Sequence, residues 1–140
     1  MSMLPKVEIF AGLSEEEQAA LENSCVTRNY PRNTVVINEN DFADSLYVIE
    51  SGRVKVYCSD KNGKEYIMNT LGPGDYFGEL ALLDDDRRSA SVRTLEKSTF
   101  TIMFKDEFHA IMERHPKIAQ TLIRNLTRRV RKLTENVKSL

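Results

Sequence analysis

The sequence predicts a mainly β domain with flanking helices, with an antiparallel sandwich or barrel as its centre. From Val26 to Phe104, short segments rich in Val, Ile, Tyr and Thr are broken by turn signals about every eight to twelve residues. On either side of that region the apolar spacing becomes helical. The 140 residues, 41% apolar and 29% charged, suit one domain able to bury roughly two thirds of its unfolded surface.

The elements follow in order. In "LSEEEQAALENSC", Ser14 stands as an N-cap, Glu17 completes a capping box and acids fill the first turn, which predicts a helix over about 15–23. The strand candidates are "CVTRNY", "TVVIN", "SLYVIE", "RVKVYCS", "EYIMNTL", "SASVRTL" and "TFTIMF". Hairpin turns are expected at Ser51-Gly52 and at Asn62-Gly63, the latter as a type I′ turn. Asn33, Asn40 and "GPGD" at 72–75 mark further turns, since Asn and Gly tolerate positive φ. "DEFHAIMERH" reads as a short helix, and Pro116 suits the first turn of the next.

In that last helix the apolar residues step by three and four. Ile123, Val130 and Val137 take heptad position a, and Leu126, Leu133 and Leu140 take d. β-branched a with leucine d favours a parallel two-stranded coiled coil. The alternative is a stripe packed on the chain's own sheet, but its narrowness favours a dimer seam.

Net charge is −1, unevenly spread. Between 121 and 140, Arg124, Arg128, Arg129, Arg131, Lys132 and Lys138 face only Glu135, a local +5 that leaves −6 elsewhere. Interleaved with an apolar stripe, these charges read as a solvated helix face rather than a nucleic-acid surface. No apolar run is long enough to span a bilayer and no secretory signal is evident, so the expected setting is cytoplasmic, without membrane contact. There Cys25 and Cys58, not closely spaced, would stay reduced.

The chemistry concentrates in "FGELALLDDDRRSASV", residues 77–92. Glu79 to Leu83 are good helix formers, so a helical turn starting at Gly78 would aim free N–H groups outward, an end suited to an anion. Arg88 would add a planar fork of donors and Ser89 a hydroxyl. Glu79 makes sense beside a phosphate only if it accepts from a neighbouring hydroxyl, as on a ribose. The three aspartates, 84 to 86, read as a solvated loop.

The segment resembles the phosphate-binding cassette of cyclic-nucleotide-binding domains: Phe77, Gly78, Glu79, Leu80, Ala81, Leu82, a short loop, then Arg88, Ser89, Ala90, Ser91, Val92. The likeness covers almost the whole chain, with "PRNTVVINENDFADSLYVIESGRVKVY" similar to the first half of that family's β-roll; Asn33 and Asn40 stand where glycine is usual. It implies an antiparallel β-roll (double-stranded β-helix, or jelly roll) with an N-terminal helix, a short phosphate-cassette helix and a long C-terminal dimerisation helix. The implied division is residues 1–115 for the roll and 116–140 for the dimerisation helix. The resemblance implies that Arg88 pairs the cyclic phosphate, that N–H groups near Gly78, Leu80 and Ala81 and around Ser89 and Ala90 complete the cradle, and that Glu79 takes the ribose 2′-hydroxyl. Val56 and Met68 would wall the purine or serve as ordinary core, and Ser89 would bond phosphate or a guanine edge.

The tail resembles the dimer helix of bacterial catabolite-activator (Crp/Fnr) transcription regulators. Their two adenine-contacting hydroxyl positions fall on Leu133 and Thr134, so one hydroxyl is kept. The expected ligand is a cyclic nucleotide, cAMP first and cGMP second, sensed by a homodimer whose DNA contact would require a downstream domain. A non-binding scaffold, or the same domain serving a kinase or channel, is the alternative. His109 and His115 lack a shared-face spacing and the two cysteines cannot hold a cluster, so neither a metal site nor an enzyme is expected.

Overall fold

The computed structural model describes residues 3–7, 10–78, 84 and 86–138. After a 3₁₀ turn at Leu4–Lys6, α1 spans Glu15–Asn23, with the Ser14–Glu17 capping box formed in both directions. Eight strands follow: β1 (Val26–Tyr30), β2 (Val35–Ile37), β3 (Ser45–Ser51), β4 (Val54–Ser59), β5 (Glu65–Leu71), β6 (Tyr76–Phe77), β7 (Ser91–Thr94) and β8 (Ser98–Phe104). Two helices close the chain, α2 (Lys105–Arg114) and α3 (Pro116–Lys138), with Pro116 in the first turn as expected.

The expected closed roll is not what forms. Among the described residues the strands make two separate antiparallel sheets of four, in orders β1-β8-β3-β6 and β2-β7-β4-β5, and no ladder joins one sheet's edge to the other's. The three α-helices hold as many residues as the eight strands, so the fold is mixed rather than mainly β. Alternating apolar residues record which face of a strand is buried; they carry no information on which edges pair. The phosphate-cassette helix expected over 79–83 lies outside the described residues.

The two sheets pack face to face over Ile37, Ile49, Val54, Phe77, Val92, Phe100 and Ile102. A second apolar cluster lies on the outer face of the first sheet, where Leu46, Val48 and Met103 meet Phe108 and Ile111 of α2 and Ile118 and Leu122 of α3. The opening segment joins it through Leu4, Val7 and Phe10, and Asn125 of α3 donates to the Ala11 carbonyl at 3.0 Å. These contacts fix the first half of α3 against the sheet.

Turn chemistry differs from expectation at two places. Ser51-Gly52 carries the chain from one sheet to the other instead of closing a hairpin. Gly52 is obligatory there: φ is +96°, and a Cβ would lie 2.6 Å from Ser98 Cα. At Asn62-Gly63 only Gly63 has positive φ, so the turn is not type I′. The Asp60 carboxylate accepts from the N–H groups of Asn62 and Lys64, both at 2.9 Å, and this side-chain capture selects a longer loop with one left-handed residue. Asn33 and Asn40 do adopt left-handed φ, 58° and 72°.

Among the described residues no helix is long and apolar enough to cross a membrane, and no group of three or more His, Cys, Asp or Glu is placed to hold a metal ion. Burial pushes the Cys25 thiol up to about 12.

Candidate functional site

Arg88 is buried, 8% exposed, in the segment entering β7. Its backbone is held from both sides: its N–H donates to the Asp41 carbonyl at 2.8 Å, and its carbonyl accepts from Asn40 N–H at 2.9 Å. Arg87 fastens the same junction, donating from Nη1 to the Asn40 carbonyl at 2.9 Å with its guanidinium 4.3 Å from the Phe42 ring centre. The left-handed turn at Asn40 thus belongs to the arginine's mounting.

The Arg88 guanidinium reaches the start of β3. Nη2 donates to the Ser45 carbonyl at 2.9 Å and to Ser45 Oγ at 3.3 Å, and lies 3.8 Å from Asp44 Oδ1. The Asp44 side chain is 75% exposed, so this pair neutralises the arginine only weakly. Nη1 is buried with no hydrogen-bond partner among the described residues. Burial presses the guanidinium pKa down, while Tyr47, Asp44 and Asp41 pull the other way; an arginine stays charged regardless. A buried charged donor without an acceptor costs about 1–3 kcal/mol or more, a cost an anion in front of it would remove.

Gly78 makes this arrangement possible. A Cβ there would lie 2.4 Å from Arg88 Nη1 and 3.0 Å from the Ser45 carbonyl oxygen, and φ is +80°. Only glycine accepts both the left-handed backbone and the close guanidinium.

Arg88, Gly78, Ser89 and Ala90 form one end of a cavity of about 580 Å³. Its lining is mixed: Ile37 and Val92 from inside the sandwich, Val56 from β4, and Met68 and Leu71 from β5 form apolar walls, while Asp75, Asp84, Asp86 and Arg129 add charged groups. Phe77 at the rim is stacked on Tyr47 at 4.9 Å and meets Phe100 edge-on at 5.5 Å, a rigid aromatic base. A buried cation at one end and apolar walls from β4 and β5 beside it fit a ligand with an anionic end and a flat body.

Six of the sequence-predicted residues therefore meet in one place: Gly78, Arg88, Ser89, Ala90, Val56 and Met68. Glu79, Leu80 and Ala81 lie outside the described residues. Leu133 and Thr134 do not line the cavity; Thr134 Oγ1 donates back to the Val130 carbonyl at 3.0 Å and Leu133 is 57% exposed. Of the seam residues, Ile123, Val130, Leu133 and Val137 are exposed, Leu126 packs partly against its own core, and Leu140 lies outside the described residues.

Several cavity residues were not named as site residues from the sequence, Arg129 and Asn69 among them. Arg129 of α3 lines the chamber and donates to Tyr76 Oη at 3.1 Å. Its heptad position was legible, but which side of the helix meets the sheets was not. Asn69 of β5 also lines the chamber.

Comparison with known proteins shows the family. The model of the family described as "Cyclic nucleotide-binding domain" matches residues 27–115. The "Cyclic AMP receptor protein" of Thermus thermophilus is 33% identical over 123 residues, 88% of this chain and 57% of that protein. A "CRP-like cAMP-activated global transcriptional regulator" of Mycobacterium tuberculosis is 32% identical over 138 residues, 99% of this chain and 62% of that protein. The chain thus spans about three fifths of these curated relatives. Among solved structures, the N-terminal domain of a transcriptional regulator from Streptomyces coelicolor A3(2) superposes with a TM-score of 0.88 at 28% identity, covering 97% of this chain and 95% of that one. The chain belongs to the cyclic nucleotide-binding domain family and is homologous to the sensor region of Crp/Fnr-type transcription regulators.

Proposed function

We propose that the chain is the sensor of a transcription regulator, binding a cyclic nucleotide in the 580 Å³ cavity with its phosphate against Arg88 and its base between Val56 and Met68. The carrying observation is Arg88 Nη1, a buried charged donor without an acceptor among the described residues, facing a glycine that leaves it room. Arg88, Gly78, Ser89 and Ala90 are the phosphate contacts, and Glu79, Leu80 and Ala81 complete the cradle in this reading. cAMP is placed first, as the nucleotide in the names of the two relatives, and cGMP second. The module itself is non-catalytic and works in the cytoplasm.

The exposed stripe of Ile123, Val130, Leu133 and Val137 supports a homodimer through α3. In such a dimer Leu133 and Thr134 would approach the cavity of the partner or their own, capping the base with one hydroxyl. Arg129, tied to Tyr76 at the chamber, gives α3 a direct link to the site. Ligand would then favour one helix arrangement over another, and DNA contact would fall to a downstream domain.

Calorimetric titration of the chain and of Arg88→Leu with cAMP and cGMP tests the reading. The unaltered chain is expected to bind at least one of them. Losing charge-assisted hydrogen bonds worth about 1.5–3 kcal/mol should weaken Arg88→Leu by about tenfold or more. Undiminished binding by the variant would defeat the assignment of Arg88.

A further inference from the structure

We propose that the outer side of α3 is a contact surface for the phosphate backbone of nucleic acid, in addition to any contact made through a downstream domain. It stands apart from the cyclic-nucleotide reading. In the sequence the basic residues of 121–140 are interleaved with apolar ones; on the helix they separate. With Ile123 at position a, Arg124, Arg131 and Lys138 take b and Arg128 takes f. At about 100° per residue these four share one side of α3, roughly 130° from the stripe of Ile123, Val130 and Val137. They lie about as far from the side that packs on the sheets, where Ile118, Leu122 and Asn125 are buried. All four are exposed, and none is in an ion pair among the described residues. A dimer through the a and d positions would leave this side open.

The charge calls for an anionic partner, and its arrangement favours phosphates over an acidic protein. The centre of a protein interface is apolar or aromatic, and this side has no such residue: besides the four cations, positions b and f hold Lys117, Thr121 and Glu135. Three of the four are arginines, whose planar forks match phosphate oxygens. From Arg124 to Lys138 the helix rises about 21 Å, over which one strand of duplex DNA carries about six phosphates. Such a contact is independent of base sequence and weakens steeply with salt.

The test is fluorescence anisotropy of a labelled DNA duplex of arbitrary sequence, titrated with the chain over a range of salt. The unaltered chain is expected to bind at low salt. The triple variant Arg124→Gln, Arg128→Gln, Arg131→Gln should bind about tenfold or more weakly, with the slope of log K against log salt shallower by about 2–3. A second triple variant, Arg32→Gln, Lys61→Gln, Lys97→Gln, removes the same charge elsewhere and should keep the slope. All six positions are exposed, so neither variant disturbs the core. No binding by the unaltered chain at low salt, or equal losses in the two variants, would overturn the surface. Binding of poly-glutamate as tightly as a duplex of equal charge would assign the stripe to an acidic protein and overturn the phosphate reading.

Discussion

The corner around Arg88 and the distal half of α3 are opposite kinds of surface. The first is tied down within one chain: the arginine's backbone is bonded on both sides, its Nη2 is anchored on Ser45 and its Nη1 is held ready. The second is held to the sheets at its start, where Arg129 meets Tyr76, and is open beyond it. From Arg131 to Lys138 every residue is exposed, and Val130, Leu133 and Val137 stand in solvent at 57% to 67% exposure. In the proposed reading the phosphate end is preorganised before any ligand or partner arrives, while the helix that would cap the base would gain its packing from a partner chain. Affinity should therefore reside chiefly in the corner and responsiveness in the helix.

Breaking the corner gives the largest expected effect. Beyond the affinity loss stated above, Arg88→Leu should leave the melting temperature close to that of the unaltered chain, since the bonds to Ser45 that it removes are offset by relief of a buried charge whose Nη1 has no partner among the described residues. Gly78→Ala comes next. Its Cβ collides with Nη1 and its backbone is strained, so we expect about 1 kcal/mol of lost stability by thermal melting and weakened nucleotide binding.

The helix is probed by Val130→Asp. Val130 is 62% exposed in the single chain, so the fold should survive. A charge at an a position of a seam should raise the dimer dissociation constant about tenfold or more by sedimentation, with nucleotide phosphate contacts kept. An unchanged dimer would place the interface elsewhere.

The smallest effect concerns a site away from both. Asp60 titrates below its ordinary range because the Lys64 N–H, then the Asn62 N–H and the Tyr66 hydroxyl, donate to it. A carboxylate depressed in this way supports the folded hairpin at neutral pH. That support is lost as pH falls through the ordinary aspartate range and below. Asp60→Ala should show a slightly lower melting temperature at neutral pH and no difference in strong acid.

The corner was also the more legible region. Arg88, Gly78 and Ser89 could be named from a short run because each chemical role demands a particular residue type there: a planar cation, a residue without Cβ, a hydroxyl. Strand positions were legible where five or more residues alternate or share β-branched character. The two-residue β6, Tyr76–Phe77, is too short to show a period. What the sequence could not carry was edge pairing, which left the sheets' failure to close unseen. The bulge at Met68 also depends on ladder register rather than on composition. For Arg129, counting heptads located the residue on its helix but not against the cavity.

The central claim is that the unpaired Nη1 of Arg88 is the donor that meets the ligand's phosphate. Nitrogen NMR of the arginine side chains during a cyclic-nucleotide titration tests it most directly. The account predicts that a guanidinium resonance absent from Arg88→Leu moves as the ligand binds and becomes protected from solvent exchange. Saturable binding with that resonance unmoved would contradict it.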